Sequence, residues 1–215
     1  MLTVKGFKGL SYSINLETDY YARNISLIDK GYKFDIITPY NEFTNVEFNQ
    51  IGGHNLLNAI GAFSVAHYLG LEGNKLIKAL ADFKGVYRRM DIFRLANKIV
   101  IDDYAHHPTE ISSVLSGVKS VYKNKEIVCV FQPHRISRVI NLKKEFSKCF
   151  KMADIVLLCP YYTANEKLRL NFTYYSFAKL IIKNSNVKLI LIEDELQLRS
   201  FCLLYTSDAA DEGLG

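Results

Sequence analysis

Lys98-Ile-Val-Ile-Asp-Asp-Tyr-Ala-His-His-Pro-Thr-Glu110 is an apolar run that ends in two carboxylates, a phenol and two imidazoles just before a helix opens. The helix start is well marked. Pro108 suits a first helical position, Glu110 complements the positive end of the helix dipole, and Ile111, Val114, Leu115 and Val118 share one face. Asp102 to His107 therefore lie between the carboxyl end of a strand and the start of a helix, the edge at which open parallel α/β sheets bind ligands.

The next segment repeats the plan. Ile127 to Phe131 is a buried-strand run, followed by Gln132-Pro-His-Arg-Ile-Ser-Arg138 and by an amphipathic stretch with Leu142, Phe146 and Cys149. Arg135 and Arg138 fall at the predicted start of that helix, where a cation opposes the dipole by up to about 1 kcal/mol. An anion bound between them reverses the sign. The bland alternative is that both point into solvent or meet Asp102 or Glu110, since surface ion pairs contribute little.

Working outward, strands near 98–101, 126–131, 154–159 and 187–192 alternate with helices near 108–122, 138–151 and 173–183. That alternation implies an α/β fold with a doubly wound, mostly parallel sheet. Residues 10–49 read differently. Tyr12 to Leu16 and Tyr32 to Ile36 are short β-like runs, with Pro39-Tyr40-Asn41 as a turn, and predict antiparallel sheet. Gly52-Gly53-His54-Asn55 then opens a helix with Leu56, Leu57, Ile60, Phe63 and Ala66 inward and Gly70 as its stop; a second runs through Leu76, Ile77, Leu80 and Phe83. The domain boundary is expected near residues 84–88.

Composition excludes several classes. With 215 residues and 49% hydrophobic content the chain can bury a substantial core and is not disordered. The net charge of +5 comes from scattered lysines, which predicts no nucleic-acid partner. Cys129, Cys149, Cys159 and Cys202 have no C-x-x-C spacing and read as small core residues of a reducing compartment. No apolar run reaches membrane-spanning length and the first residues lack a signal-peptide core, so the expectation is a cytoplasmic protein with no membrane partner. His67, outside any motif, is expected at the surface or an interface.

Four motifs carry a resemblance. Gly53-His-Asn-Leu-Leu-Asn-Ala59, Gly85-Val-Tyr-Arg-Arg89, Asp102-Asp-Tyr-Ala-His-His-Pro-Thr-Glu110 and Phe131-Gln-Pro-His-Arg-Ile-Ser-Arg138 follow in the order and spacing of the Mur ligases. The last two are similar to the alanine-adding members of that family. The resemblance implies the C-terminal part of a P-loop-type central ATP-binding domain over residues 1–86 and a Rossmann-like C-terminal domain over 87–200. It also implies ATP-dependent joining of L-alanine to the lactyl carboxylate of UDP-N-acetylmuramate through an acyl phosphate, with Mg²⁺, in peptidoglycan precursor synthesis.

By the same resemblance, His54, Asn58, Arg89 and Asp103 match ATP-binding positions. Tyr104, His107, His134, Arg135 and Arg138 match positions that bind substrate, and His107, Arg135 and Arg138 those that act in catalysis. Two departures stand out. The chain has no Gly-x-x-Gly-Lys-Thr/Ser phosphate loop, so alone it is expected to be inactive, and the family's Mg²⁺ ligands are expected upstream, leaving no metal residue to assign here. Residues 201–215 read as a non-native tail, resembling translated cloning adaptor. Two rival readings are a non-catalytic nucleotide-binding module and a metal-dependent phosphohydrolase using Asp102, Asp103, His106 and His107.

Overall fold

The computed structural model describes residues 9–95, 98–162 and 173–202. The chain divides into two compact units, Met1–Met90 and Asp91–Gly215.

The first unit is a four-stranded sheet, β1 (Tyr12–Ser13), β2 (Tyr20–Ile28), β3 (Gly31–Ile37) and β4 (Glu42–Phe48), paired in that order, with helices α1 (Gly53–Tyr68) and α2 (Gly73–Asp82). Pairs β2–β3 and β3–β4 are antiparallel as expected, but β1 runs parallel to β2. The Tyr12 to Leu16 run breaks after two paired residues because the Ser13 hydroxyl accepts from the amides of Asn15 and Leu16, closing a turn. Each antiparallel pair carries an irregularity beside Asp35, whose carboxylate accepts from the Asn45 amide at 2.9 Å and the Asn24 side chain at 2.6 Å. Asn24 and Asn45 both have left-handed backbone, φ 53° and 57°, which asparagine tolerates better than most residues. Alternate strand residues Tyr20, Ala22, Phe34, Ile36, Val46 and Phe48 pack on Leu56, Ala59, Ile60 and Phe63 of α1. Gly70 stops α1 through paired bonds, its own amide to His67 and that of Leu71 to Ala66, at φ 90°.

His67 departs from expectation. Its ring stacks on Phe63, meets the edges of Tyr20 and Phe43, and hydrogen-bonds the Tyr20 hydroxyl at 3.1 Å, so it is an aromatic-cluster residue at the helix end.

The second unit contains an antiparallel hairpin, β5 (Asp91–Leu95) with β6 (Lys98–Asp102), and a parallel three-stranded sheet, β7 (Val128–Phe131), β8 (Ile155–Leu158) and β9 (Lys188–Leu191). The strand expected at 98–101 is present, but its partner is β5, which sequence reading missed because Asp91–Leu95 is a short mixed run. Helices are α3 (Pro108–Val121), α4 (Ile136–Asn141), α5 (Lys143–Phe146) and α6 (Tyr174–Ser185). The single helix expected over 138–151 is thus two short ones, with Leu142 as the break between them. All four residues of β8 are buried, as a central strand covered on both faces requires. Phe131, Phe146, Phe150 and Phe177 form one aromatic cluster. Ile155, Leu157, Cys159 and Ile192 form another cluster, against which Leu198 and Phe201 pack.

Phe201 had been read as tail, yet residues 195–202 are helical and its ring reaches that cluster; residues 203–215 lie outside the described set. Cys149 and Cys159 are buried and Cys129 half-buried, each thiol pushed up by desolvation, Cys129 to about 12; Cys202 is exposed. No helix among the described residues is long and apolar enough to cross a membrane.

Candidate functional site

In the first unit, His54 and Asn58 stand one turn apart on α1, which places both side chains on one helix face. His54 is half-buried and Asn58 exposed. The helix begins after Gly52, whose φ of 95° is open to glycine and whose missing Cβ makes room for the His54 ring: a methyl there would lie 2.8 Å from the imidazole Cε1. Sequence reading had taken Gly52 only as part of a helix start. Arg89 is exposed at the end of a tight turn, donating its amide to the Val86 carbonyl at 2.9 Å.

In the second unit the turn between β6 and α3 carries several bonds among its own residues. The Asp103 carboxylate accepts from the Ala105 amide at 2.7 Å. Glu110 reaches back from the first helical turn, its Oε2 accepting from the amides of His106 at 3.0 Å and His107 at 3.2 Å. His107 is the N-cap: its Nδ1 accepts from the Thr109 amide at 3.3 Å. An amide nitrogen can only donate, so His107 carries its proton on Nε2 in this arrangement. His106 is the opposite tautomer, because its Nδ1 lies 2.9 Å from the Tyr104 carbonyl, which can only accept. The Tyr104 ring, exposed, meets the His106 ring edge to face at 5.3 Å. Adjacent histidines thus have distinct duties, with His107 left to offer an Nε2–H donor.

The turn between β7 and α4 is built otherwise. Arg135 is the residue before α4 and has φ 61°, ψ 109°. For a residue with a Cβ such backbone costs about 1–3 kcal/mol and persists only where its surroundings hold it. The holding comes from the segment after β8: the Arg135 amide donates to the Tyr162 carbonyl at 3.2 Å, the Tyr162 amide to the Pro133 carbonyl at 2.9 Å, and the His134 ring stacks on Tyr162 at 5.2 Å. Arg138 lies half-buried in α4, and its Nη1 is enclosed with no hydrogen-bond partner among the described residues. A buried unsatisfied donor costs about 1–3 kcal/mol, more when charged. Arg135 itself is exposed.

The described contacts therefore join Tyr104, His106, His107 and Glu110 in one turn, and His134, Arg135 and Tyr162 in another. Among the described residues no three His, Cys, Asp or Glu converge as a metal site. In this arrangement His107, with its proton on Nε2 and its Nδ1 taken by the Thr109 amide, offers no lone pair to a metal ion, which speaks against the phosphohydrolase reading.

Residues 88–193 match the Mur ligase, glutamate ligase domain, and the chain belongs to the Mur ligase family. Within it, the chain is 45% identical over 197 residues to the UDP-N-acetylmuramate–L-alanine ligase of Pelagibacter ubique, covering 89% of this chain and 42% of that protein. It is 41% identical to the enzyme of the same name from Christiangramia forsetii, over 86% of this chain and 40% of that protein. The crystal structure of UDP-N-acetylmuramate-alanine ligase from Thermotoga maritima superposes with a TM-score of 0.66 at 27% identity, over 86% of this chain and 39% of that one. The folylpolyglutamate synthase of Mycobacterium tuberculosis shares the fold, with a TM-score of 0.68 at 16% identity, over 91% of this chain and 43% of that one. The chain spans well under half the length of these relatives.

Proposed function

We propose that the protein containing this chain is an ATP-dependent ligase that joins L-alanine to the lactyl carboxylate of UDP-N-acetylmuramate during cytoplasmic synthesis of peptidoglycan precursors. The observation that carries the reading is 45% identity to a ligase of that name across 89% of the chain. In this reading the carboxylate is activated as an acyl phosphate, and the amine of L-alanine attacks its carbonyl with departure of phosphate.

The chain's own residues supply binding and charge stabilisation. Asn58, an exposed amide with both donor and acceptor, and His54 beside it read the adenine edge. Arg89 and Asp103 engage the ribose and phosphates. The guanidinium groups of Arg135 and Arg138 hold substrate oxygens, each a planar fork of donors able to pair with a carboxylate or phosphoryl group. His107 donates from Nε2 to charge that develops on the reacting group, while Tyr104 and His134 border the substrate. Mg²⁺ would supply phosphate charge neutralisation; no ligand set for it is assigned here, since no three suitable side chains converge among the described residues.

The test is to read the genomic sequence on both sides, express the whole frame and assay phosphate release. Release that requires ATP, UDP-N-acetylmuramate and L-alanine together is expected, and the 215 residues alone should give none because they lack the phosphate loop. A whole protein that binds nucleotide without turnover would establish the binding-module reading instead.

A further inference from the structure

We infer that Tyr162 is a positioning residue for the basic turn, setting the shape in which His134 and Arg135 meet substrate. The inference rests on the ligase reading for its functional consequence and on geometry for its substance. Three contacts converge on one residue from a segment 27 residues downstream of Arg135. Tyr162 accepts the Arg135 amide through its carbonyl, gives its own amide to Pro133, and lays its ring parallel to His134, 14° from coplanar. These bonds extend the β7–β8 ladder past the last paired strand residues, Phe131 and Leu158, into a single parallel bridge between His134 and Tyr162. The Gln132 side chain adds a bond to the Pro160 carbonyl at 3.3 Å.

The burden on this contact is the Arg135 backbone. Its φ of 61° is sterically unfavourable, and no side chain caps the helix that follows. The described bond to the Arg135 amide comes from Tyr162, so the arginine's departure angle is set by a residue outside the motif that contains it. The ring has a separate duty. Stacking fixes the plane of the His134 imidazole, while Tyr162 remains 55% exposed and so adds little to the core. A residue serving only the fold would be better buried.

Tyr162→Phe, Tyr162→Leu and Tyr162→Ala in the full-length ligase test the duty of the ring, since all three keep the main-chain bonds to Arg135 and Pro133. Phe keeps the ring and should leave both kcat and KM within twofold of the parent. Leu and Ala remove the stack and should raise the KM for UDP-N-acetylmuramate about tenfold, with the KM for ATP and the thermal midpoint unchanged. Unchanged kinetics in Leu and Ala would overturn the inference, as would a uniform loss of activity that follows a lowered midpoint.

A second readout does not depend on turnover. In the NMR spectrum of the chain, the His134 ring protons should shift in Leu and Ala but not in Phe. If the parent protein proves inactive, the ligase reading falls, and this shift alone decides whether Tyr162 sets the His134 ring; its absence would overturn the positioning role.

Discussion

The turn at 103–107 and the turn at 132–135 each follow a strand and lead into a helix, and they are held in different ways. The first carries a set of local bonds, Asp103 to Ala105, His106 to Tyr104, Glu110 to His106 and His107, and His107 to Thr109, each spanning two to four residues. In the second, the holding bonds come from Tyr162, and one residue carries strained backbone. A self-capped turn presents donors whose tautomers follow from near neighbours. A clamped turn keeps an arginine in a backbone conformation that its own sequence would not hold in place.

The largest effect expected from this contrast is at Arg135. Arg135→Gly relieves backbone strain of about 1–3 kcal/mol, offset by about 0.5–1 kcal/mol of added chain entropy. The thermal midpoint should therefore hold or rise while kcat/KM of the full-length ligase falls at least tenfold, about 1.4 kcal/mol of transition-state stabilisation. A lowered midpoint with intact kinetics would reverse the assignment of strain to function.

Glu110→Ala should act oppositely, on stability first. It leaves the two amides just before the helix, those of His106 and His107, without their acceptor, at a cost of about 0.5–2 kcal/mol, or a few degrees in a chain of this size. Amide exchange should quicken at His106 and His107 and stay as in the parent at Arg135; equal quickening at both turns would show that they are one structure.

Asp35 offers the smallest effect and a control, because it too secures left-handed residues by side-chain bonds across strands. The Asn45 amide first, then the Asn24 side chain, hold its carboxyl below the usual 3.8. A carboxyl depressed in the folded state stabilises above its unfolded value and loses that contribution as pH falls through the folded value. Acid unfolding should accordingly be less steep in Asp35→Asn than in the parent, by a small margin since the group is near solvent. Identical profiles would show that the asparagines hold their conformation unaided.

Much of this was legible beforehand, and the failures are instructive. The strand–turn–helix at 98–121 could be read because Pro108, Glu110 and the apolar face of α3 act over four residues or fewer. The Gly70 stop of α1 is equally local. The parallel pairing of β1, the β5–β6 hairpin and the break at Leu142 were misread, since each depends on which partner a short segment finds. Phe201 was set aside with a stretch that resembles translated cloning adaptor, although its ring reaches an apolar cluster from β8 and Ile192. The nine candidate site residues were all put forward by resemblance, from the four motifs; Tyr162 lay outside them and carried no local signal.

The sequence by itself determined the family, through ordered motifs, and the local chemistry of the 103–110 turn, because hydrogen bonds spanning two to four residues follow from residue identity and spacing. Only the tertiary structure decided that Tyr162 holds the Arg135 backbone, and that the Arg138 Nη1 is enclosed without a hydrogen-bond partner among the described residues. Those depend on segments far apart in the chain, whose meeting is set by packing of the parallel sheet rather than by any spacing of residues.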